Sequence, residues 1–466
     1  MHRPNVLLLY TDQQRWDALG ANGNAEIQTP NLDRLAAEGV NCDHFFVQNP
    51  VCMPSRVSML SGLYPATLGI VRNGTTVPSE TVVLPHLLQN YGYHSANIGK
   101  LHFLPHANRD HRDPHPAYGF DHLEIADEPG PYADAYRAWV QRVAPGEMDA
   151  ISLGLPPATE VWQRTMGIDD GIAHPEERFP KRAIPFRGRS DLTHTAFVAD
   201  QTMAYLEDHR DGPFFCIAGF YSPHSPWVAP QAFIDRYDPQ ALTLPRFPPA
   251  VDAQRSQGHF ADDELRAARQ GYYAMVSEVD HHVGRILDQL DALGLRQNTI
   301  VLFTSDHGEW LGEHLRYGKG HPGHDCVSRV PFIVRWPGGR VARGHTSHAL
   351  IEAVDVVPTL LEYAGIPVPG HLQGRSLARL LCGEEEAART SALTEGEGWK
   401  TLRLDGLRYV LEADGQEALY DLQQDPGAYR DVSGDSAYHE PLMHARHALL
   451  TRLLRRERPL RREWAY

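Results

Sequence analysis

Short, largely apolar runs that each lead into ionisable residues recur along this chain, and they leave it few architectures. Val6-Leu7-Leu8-Leu9-Tyr10 leads into Asp12-Gln13, and Ser95-Ala96-Asn97-Ile98 into Gly99-Lys100-Leu101-His102. Phe214 to Phe220 leads into His224, and Thr299 to Thr304 into Ser305-Asp306-His307. An unbroken apolar run of this length reads as a strand covered on both faces. Helical patterns alternate with these runs, over 29–39, 83–91, 193–209, 262–293 and 353–364. Phe45-Phe46-Val47 and Pro331 to Val334 add further strands. The alternation predicts an α/β fold, with a mostly parallel central sheet and helices on both faces. Such sheets bind ligands beyond the C-terminal ends of their strands. Asp12, Lys100, His102, His224, Asp306 and His307 are therefore expected along one edge.

A second stretch supplies a nucleophile for that edge. Cys52-Met53-Pro54-Ser55-Arg56 continues as Val57-Ser58-Met59-Leu60-Ser61-Gly62. Proline is tolerated in the first turn of a helix and glycine commonly ends one. Residue 52 is thus expected at a helix N-terminus, where backbone N–H groups favour negative charge. Arg56 lies one turn on and can return to the same spot. Asp12 and Asp306 offer carboxylate oxygens to a divalent cation, Gln13 a carbonyl oxygen and His307 a nitrogen. Lysines and Arg56 would neutralise a transferring oxyanion, and histidines suit proton transfer near neutral pH.

The chain has 466 residues and a formal net charge of −15, which argues against nucleic acid or an anionic membrane as the main partner. At this length two domains are expected. Proline and glycine at 367, 369 and 370 suggest the division: a catalytic domain over 1–370 and a smaller one over 371–466. The smaller one reads as α+β, with Asp405-Gly406 turning one hairpin strand into the next and a helix over 439–455. Five scattered cysteines form no disulfide framework. The run Val6 to Tyr10 is too short for a signal-peptide core and no run spans a membrane, so a cytoplasmic location is expected. Residues 104–191 are rich in proline, histidine and charge and read as an irregular insertion beside the site, a lid or specificity loop. His106, His111, His115 and His122 are expected in a solvated loop. Only four of the 44 basic residues are lysine, at 100, 181, 319 and 400. Lys181 and Lys400 are expected to be surface residues.

Residues 52–62 match the signature Cys-x-Pro-Ser-Arg-x-x-x-Leu-x-Gly at every fixed position and resemble the type I sulfatases of the alkaline phosphatase-like superfamily. Further resemblances are Asp12-Gln13 to the family's N-terminal metal pair and Gly99-Lys100-Leu101-His102 to its Gly-Lys-x-His segment. Pro223-His224, Ser305-Asp306-His307-Gly308, Gly312-Glu313-His314 with Tyr317-Gly318-Lys319, and Leu419 to Pro426 resemble others. The resemblance implies that a formylglycine-generating enzyme converts Cys52 to formylglycine, whose hydrate attacks the sulfur of a small-molecule sulfate ester. It implies His224 as proton donor to the leaving alcohol, His102 as helper in releasing sulfate, and Lys100, Lys319 and Arg56 as sulfate-binding groups. The implied metal is Ca²⁺, bound by Asp12, Gln13, residue 52, Asp306 and His307. Many sulfatases have aspartate where this chain has Gln13 and asparagine where it has His307, and an imidazole suits Mn²⁺ better than Ca²⁺. Phosphonate monoester and phosphodiester hydrolases of the same superfamily share the glutamine and histidine. They tend to have tyrosine and threonine at the positions of Lys100 and His102, which tilts the reading towards sulfate. A non-catalytic metal-binding protein with unmodified Cys52 is the remaining alternative.

Overall fold

Alternate residues of the first strand, Asn5–Thr11, enter two different cores. Val6, Leu8 and Tyr10 pack with Val57, Met59 and Leu60 of helix Cys52–Ser61 and with Val356, Val357 and Leu360 of helix Val356–Tyr363. Leu7 and Leu9 pack with Leu32 and Leu35 of helix Pro30–Glu38, Phe197 and Leu206 of His194–Asp208, and Val279, Val283 and Ile286 of Asp262–Ala292. Helices thus cover both faces of the sheet, and no strand residue in this run is left for a polar side. The computed structural model describes residues 3–457 apart from 108, 156, 168–170, 178 and 256–259; residues 458–466 of the expected second domain lie outside the described residues.

The central sheet has eight strands. Across it the order is His345–Ser347, Val40–Cys42, Phe332–Arg335, Thr299–Ser305, Asn5–Thr11, Phe214–Gly219, His94–Gly99 and His122–Ile125. The last five of these strands are mutually parallel. Phe332–Arg335 runs antiparallel to both its neighbours, so the sheet is mostly, not wholly, parallel. The edge strand His122–Ile125 lies inside the stretch expected to be irregular. All four of its residues are half-buried and it alternates polar and apolar, so it lacks the apolar run that marks the inner strands. Helices Ala135–Val143 and Pro157–Met166 add further order there.

After residue 390 the chain forms a four-stranded antiparallel sheet of consecutive strands, Ser391–Gly396, Trp399–Leu404, Leu407–Glu412 and Glu417–Asp421. Gly406 has φ 66° in the Asp405-Gly406 turn, a conformation glycine adopts without strain. Helix His439–Arg456 packs Leu442, Ala445 and Leu449 onto Leu393, Leu402 and Leu419. A separate three-stranded sheet, of Arg329–Val330, Phe45–Phe46 and Ile351–Glu352, shares buried charge with the four-stranded one. Glu352, at the end of a short strand beside the Cys52 helix, is fully buried. It accepts from Tyr64 Oη at 2.6 Å, Arg452 Nη2 at 2.5 Å and Leu393 N at 2.6 Å, and from Arg389. Removing both arginines would leave this charge unpaired in low dielectric, at a cost of about 3–5 kcal/mol.

Candidate active site

Four parallel strands bring the ionisable residues together. Asp306, Asp12 and Lys100 each directly follow a strand, and His224 lies five residues past Gly219. Gly99 and Gly219 are register partners at the ends of adjacent strands. A Cβ on Gly219 would lie 2.4 Å from the Lys100 carbonyl, and one on Gly99 2.1 Å from the Gly219 carbonyl. Only glycine permits this approach, which sets Lys100 against its neighbours.

Helix Cys52–Ser61 points its N-terminus at the edge. It begins at Cys52, so Pro54 falls within its first turn and removes one unpaired donor; Gly62 ends it in the left-handed conformation, donating to Ser58 O at 3.0 Å. The Met53 N–H is met by Asn73 Oδ1 at 3.0 Å. Cys52 is 1% exposed, and burial pushes its thiol up to about 11. An unmodified Cys52 is thus a protonated thiol at neutral pH and a weak nucleophile.

Each of the two carboxylates splits its work between its two oxygens. Asp12 Oδ2 meets Lys100 Nζ at 2.8 Å and Arg56 Nη2 at 3.5 Å, and Asp306 Oδ2 meets Arg56 Nε at 2.7 Å. The Oδ1 atoms instead face His307 Nε2, each at 3.6 Å. Burial would raise the Asp12 carboxyl, but Lys100, then His224 and Lys319, hold it well below the usual carboxylate range. His307 engages the Gly308 carbonyl through Nδ1 at 2.9 Å, which leaves Nε2 as the inward nitrogen, 3.2 Å from Cys52 Sγ. One ligand atom from each of Asp12, Cys52, Asp306 and His307 lies within 4.8 Å of all the others. Gln13, at φ 68°, donates through Nε2 to Glu309, while its Oε1 is buried with no hydrogen-bond partner. Buried carbonyl oxygens are rarely left so. This orphaned oxygen lies beside the Oδ1 atoms of two carboxylates, of which that of Asp306 also accepts the Gln13 backbone N–H at 3.1 Å, and beside a correctly turned imidazole; the set fits a divalent cation, which these residues would hold.

Lys319 Nζ lies 2.7 Å from Cys52 Sγ and 3.1 Å from both His224 Nε2 and His307 Nε2. Three donors thus meet three acceptors. Lys100 is 1% exposed, between Asp12 and the Tyr221 ring, whose centroid is 5.1 Å away. Burial works against its ammonium, yet Asp12 and Cys52 raise its pKa overall. His224 Nδ1 lies 2.6 Å from the Ser225 carbonyl, so that nitrogen carries the hydrogen. Burial, and next Lys319, keep its ring far below the usual histidine range and neutral. His102, at φ 55°, is held by Asp127 Oδ1, which accepts the backbone N–H groups of Leu101 and His102 at 2.9 Å each. Its Nδ1 is buried without a partner, and burial, followed by His106 and Lys100, pulls its pKa well down.

All the residues singled out along the strand ends converge here; other expectations need correction. The histidines of the insertion are not in a solvated loop. His106 is 6% exposed and stacks on His102 at 4.4 Å, while His111 stacks on Tyr132 at 3.7 Å with Trp162 edge-on. Burial holds His111 down to about 3. Nor do these four residues form a metal cluster among the described residues; the second group with suitable spacing is Asp43, His44 and His348, where Arg329 already lies against His44 and Asp43. Lys400 is not an idle surface group: it pairs with fully buried Glu395 at 2.5 Å. Lys181 sits over the Trp227 and Tyr317 rings at 5.5 and 5.3 Å. Sequence reasoning missed Glu309, Asp127, Asn73, Tyr221 and Tyr10, whose ring lies 4.5 Å from the Arg56 guanidinium. Asp127 follows a strand end, as Asp12 does, and reading His122–Ile125 as a strand would have found it. Beside His224, Pro129, Pro131, Leu153, Leu155, Phe179 and Tyr221 line a narrow slot, with Glu128 as its charged member.

Comparisons with known proteins fit this geometry. Residues 4–366 match the sulfatase family model, and 312–456 match a model described as N-sulphoglucosamine sulphohydrolase, C-terminal. An arylsulfatase from Clostridium perfringens is 28% identical over 98% of this chain and 95% of its own length. A multifunctional alkaline phosphatase superfamily protein from Trinickia caryophylli is also 28% identical, covering 99% of this chain and 97% of its own. The solved phosphonate monoester hydrolase of Agrobacterium radiobacter superposes with a TM-score of 0.81 at 26% identity, covering 97% of this chain and 96% of that one. With one model spanning 4–366 and relatives aligned over nearly their whole lengths, this chain belongs to the sulfatase family, as a hydrolase with the alkaline phosphatase-like fold.

Proposed function

We propose that this protein hydrolyses sulfate monoesters of small alcohols at the strand-end cluster around residue 52. The observation that carries the reading is the placing of cations. Lys100, Lys319 and Arg56 surround Cys52 Sγ and the outer oxygens of Asp12 and Asp306. A tetrahedral oxyanion at the Cys52 position would meet two ammonium groups and a helix N-terminus. Formylglycine at 52, made by a formylglycine-generating enzyme, supplies the nucleophilic oxygen. A bound divalent cation, Ca²⁺ by family analogy and Mn²⁺ by the His307 nitrogen, supplies Lewis-acid polarisation.

The chain's own residues handle charge and protons. Lys100 keeps Asp12 ionised, and Arg56 neutralises Asp306. Lys319 spans the nucleophile position and His224. Lys319 stays an ammonium, held charged against its burial by its acidic neighbours, and serves as a cation rather than a proton source. His224 has Nδ1 committed to the Ser225 carbonyl, so Nε2 is the nitrogen that would carry the proton to the leaving alcohol once the ring has taken one up. His102, neutral and with a free buried nitrogen, is the base that helps release sulfate. The alcohol would lie against the slot lined by the insertion, where Tyr221 packs 4.9 Å from the His224 ring.

A second reading has its own support. The Gln13 and His307 donor pair, and the likeness to a phosphonate monoester hydrolase, favour phosphonate monoesters. Turnover of an aryl sulfate and an aryl phosphonate monoester by one preparation separates the two. The mass of the peptide containing residue 52 is measured on the same sample. Faster turnover of the sulfate by a preparation carrying formylglycine supports the first reading. Dominant phosphonate turnover replaces it with the second, and full activity with intact cysteine removes both.

A further inference from the structure

Glu309 stands between two parts of the site that share no backbone. It is 1% exposed. Its Oε1 accepts the backbone N–H groups of Leu311, at 3.0 Å, and Gly318, the residue before Lys319. Its Oε2 accepts from Gln13 Nε2. All three donors are amide N–H groups; among the described residues no cation bonds the carboxylate, Lys181 acting on it only from further off, so its burial is costly to keep for packing alone.

The chemistry of the pair explains the cost. A glutamine amide has two ends of similar shape and opposite polarity, and an ionised carboxylate can only accept. Against Glu309 the Gln13 side chain must present Nε2, and Oε1 must turn the other way. That Oε1 is the buried oxygen without a partner, on the residue adjoining Asp12. A flipped amide would aim N–H groups at a cation site. We infer that Glu309 is a positioning residue: it fixes which end of the Gln13 amide faces the cation and, through Gly318, where Lys319 stands. The inference rests on the reading that Asp12, Gln13, Asp306 and His307 hold a divalent cation.

The test reverses the polarity of the pair. Full-length protein stripped with a chelator is titrated with Ca²⁺ and with Mn²⁺ by calorimetry, with circular dichroism as the check on folding. Glu309→Gln is nearly isosteric but can present its own Nε2 to Gln13, which turns the Gln13 amide over. Cation affinity is expected to fall about 10–100-fold, as for other residues that orient a metal ligand. The double variant Gln13→Glu/Glu309→Gln restores a donor–acceptor pair, with the amide now at 309 and a carboxylate oxygen facing the cation. It is expected to bind at least as tightly as wild type. Gln13→Glu alone sets two carboxylates face to face and is expected to bind more weakly than the double variant, a comparison that stands even if Glu309→Gln does not fold. Equal affinities for wild type and Glu309→Gln, or no gain on adding Glu309→Gln to Gln13→Glu, would overturn the role of Glu309. Absence of cation binding by wild type would instead remove the metal reading beneath it.

Discussion

The strand-end cluster and the insertion over 104–191 meet at one site but are built by different rules. In the cluster each functional group sits at a position fixed by a buried strand or a helix start, and charges are matched oxygen by oxygen. The insertion contributes a half-buried edge strand, a column of neutral imidazoles and an apolar slot, held by ring stacking. The first region has the rigidity that chemistry needs, and the second has surfaces that can vary without disturbing it. Changes in the cluster should therefore abolish turnover, and changes in the insertion should alter stability or substrate choice.

The strongest expected effect lies at the nucleophile. Cys52→Ala should leave no measurable turnover, and Cys52→Ser at most a single event, since a serine ester has no second hydroxyl to expel sulfate. Multiple turnovers by Cys52→Ser, in a burst experiment, would remove the nucleophile from the cluster. Next come Lys100→Arg and Lys319→Arg, each expected to lower kcat about 10²–10³-fold, as loss of a transition-state contact does. Charge is kept in these variants, so the loss reports geometry: a planar guanidinium cannot take the place of a compact ammonium among Asp12, Tyr221 and the oxyanion. Lys181→Arg and Lys400→Arg should lower stability without lowering kcat, because one packs on rings and the other pairs with Glu395. Equal losses of kcat at all four positions would take the lysines out of the site.

Asp127 tests the boundary, because it belongs to the insertion yet holds Leu101 and His102. Asp127→Ala should cost about 10²-fold in turnover through misplacement of that segment, with little change in metal content. Unchanged kcat would show that the cluster stands without the insertion. Acid should separate the regions in a further way. The folded pKa of His111 is depressed to about 3 by burial. Its neutral packing therefore contributes stability that is fully present above about pH 6.5 and is lost as pH falls towards 3, on the order of 5 kcal/mol in all. Trp162 fluorescence should report opening of the imidazole column in that window. A transition centred near pH 6 would contradict the depressed pKa. The smallest effect is expected at the slot: Leu155→Ala should raise KM for an aryl ester only about 2–5-fold, leaving kcat near normal, in proportion to the few methyl contacts removed. A large fall in kcat would place the slot in the catalytic machinery.

What could be read from the sequence follows the same division. The inner strands announced themselves because burial on both faces forces a continuous apolar run, and each then led into its ionisable residues. Asp12, Lys100 and Asp306 were legible for that reason, and the Cys52 helix through Pro54 in its first turn and Gly62 at its end. His122–Ile125 was not, because an edge strand keeps one polar side, and Asp127 was lost with it. The positive φ angles of Gln13 and His102 had no local signal, since the groups that hold those backbones lie elsewhere in the chain: Asp306 and Tyr272 for Gln13, Asp127 for His102. The lysines at 181 and 400 were misread because scarcity says nothing about burial, and partners such as Glu395 are distant in sequence.

The buried carboxylates behind the Cys52 helix set a timetable for this chain. Glu352 is neutralised partly by Arg452, exactly 100 positions later, and Glu395 by Arg456, while Tyr64 and Ala66, just past the helix, bind the same two carboxylates. Translation at about 5–20 residues per second puts roughly 5–20 s between making Glu352 and making its last partner. Until Arg452 and Arg456 are made, the two carboxylates that meet Tyr64 and Ala66 lack these cationic partners. The Cys52 segment, sealed from solvent in the finished fold, has that interval in which an enzyme acting on it could reach it.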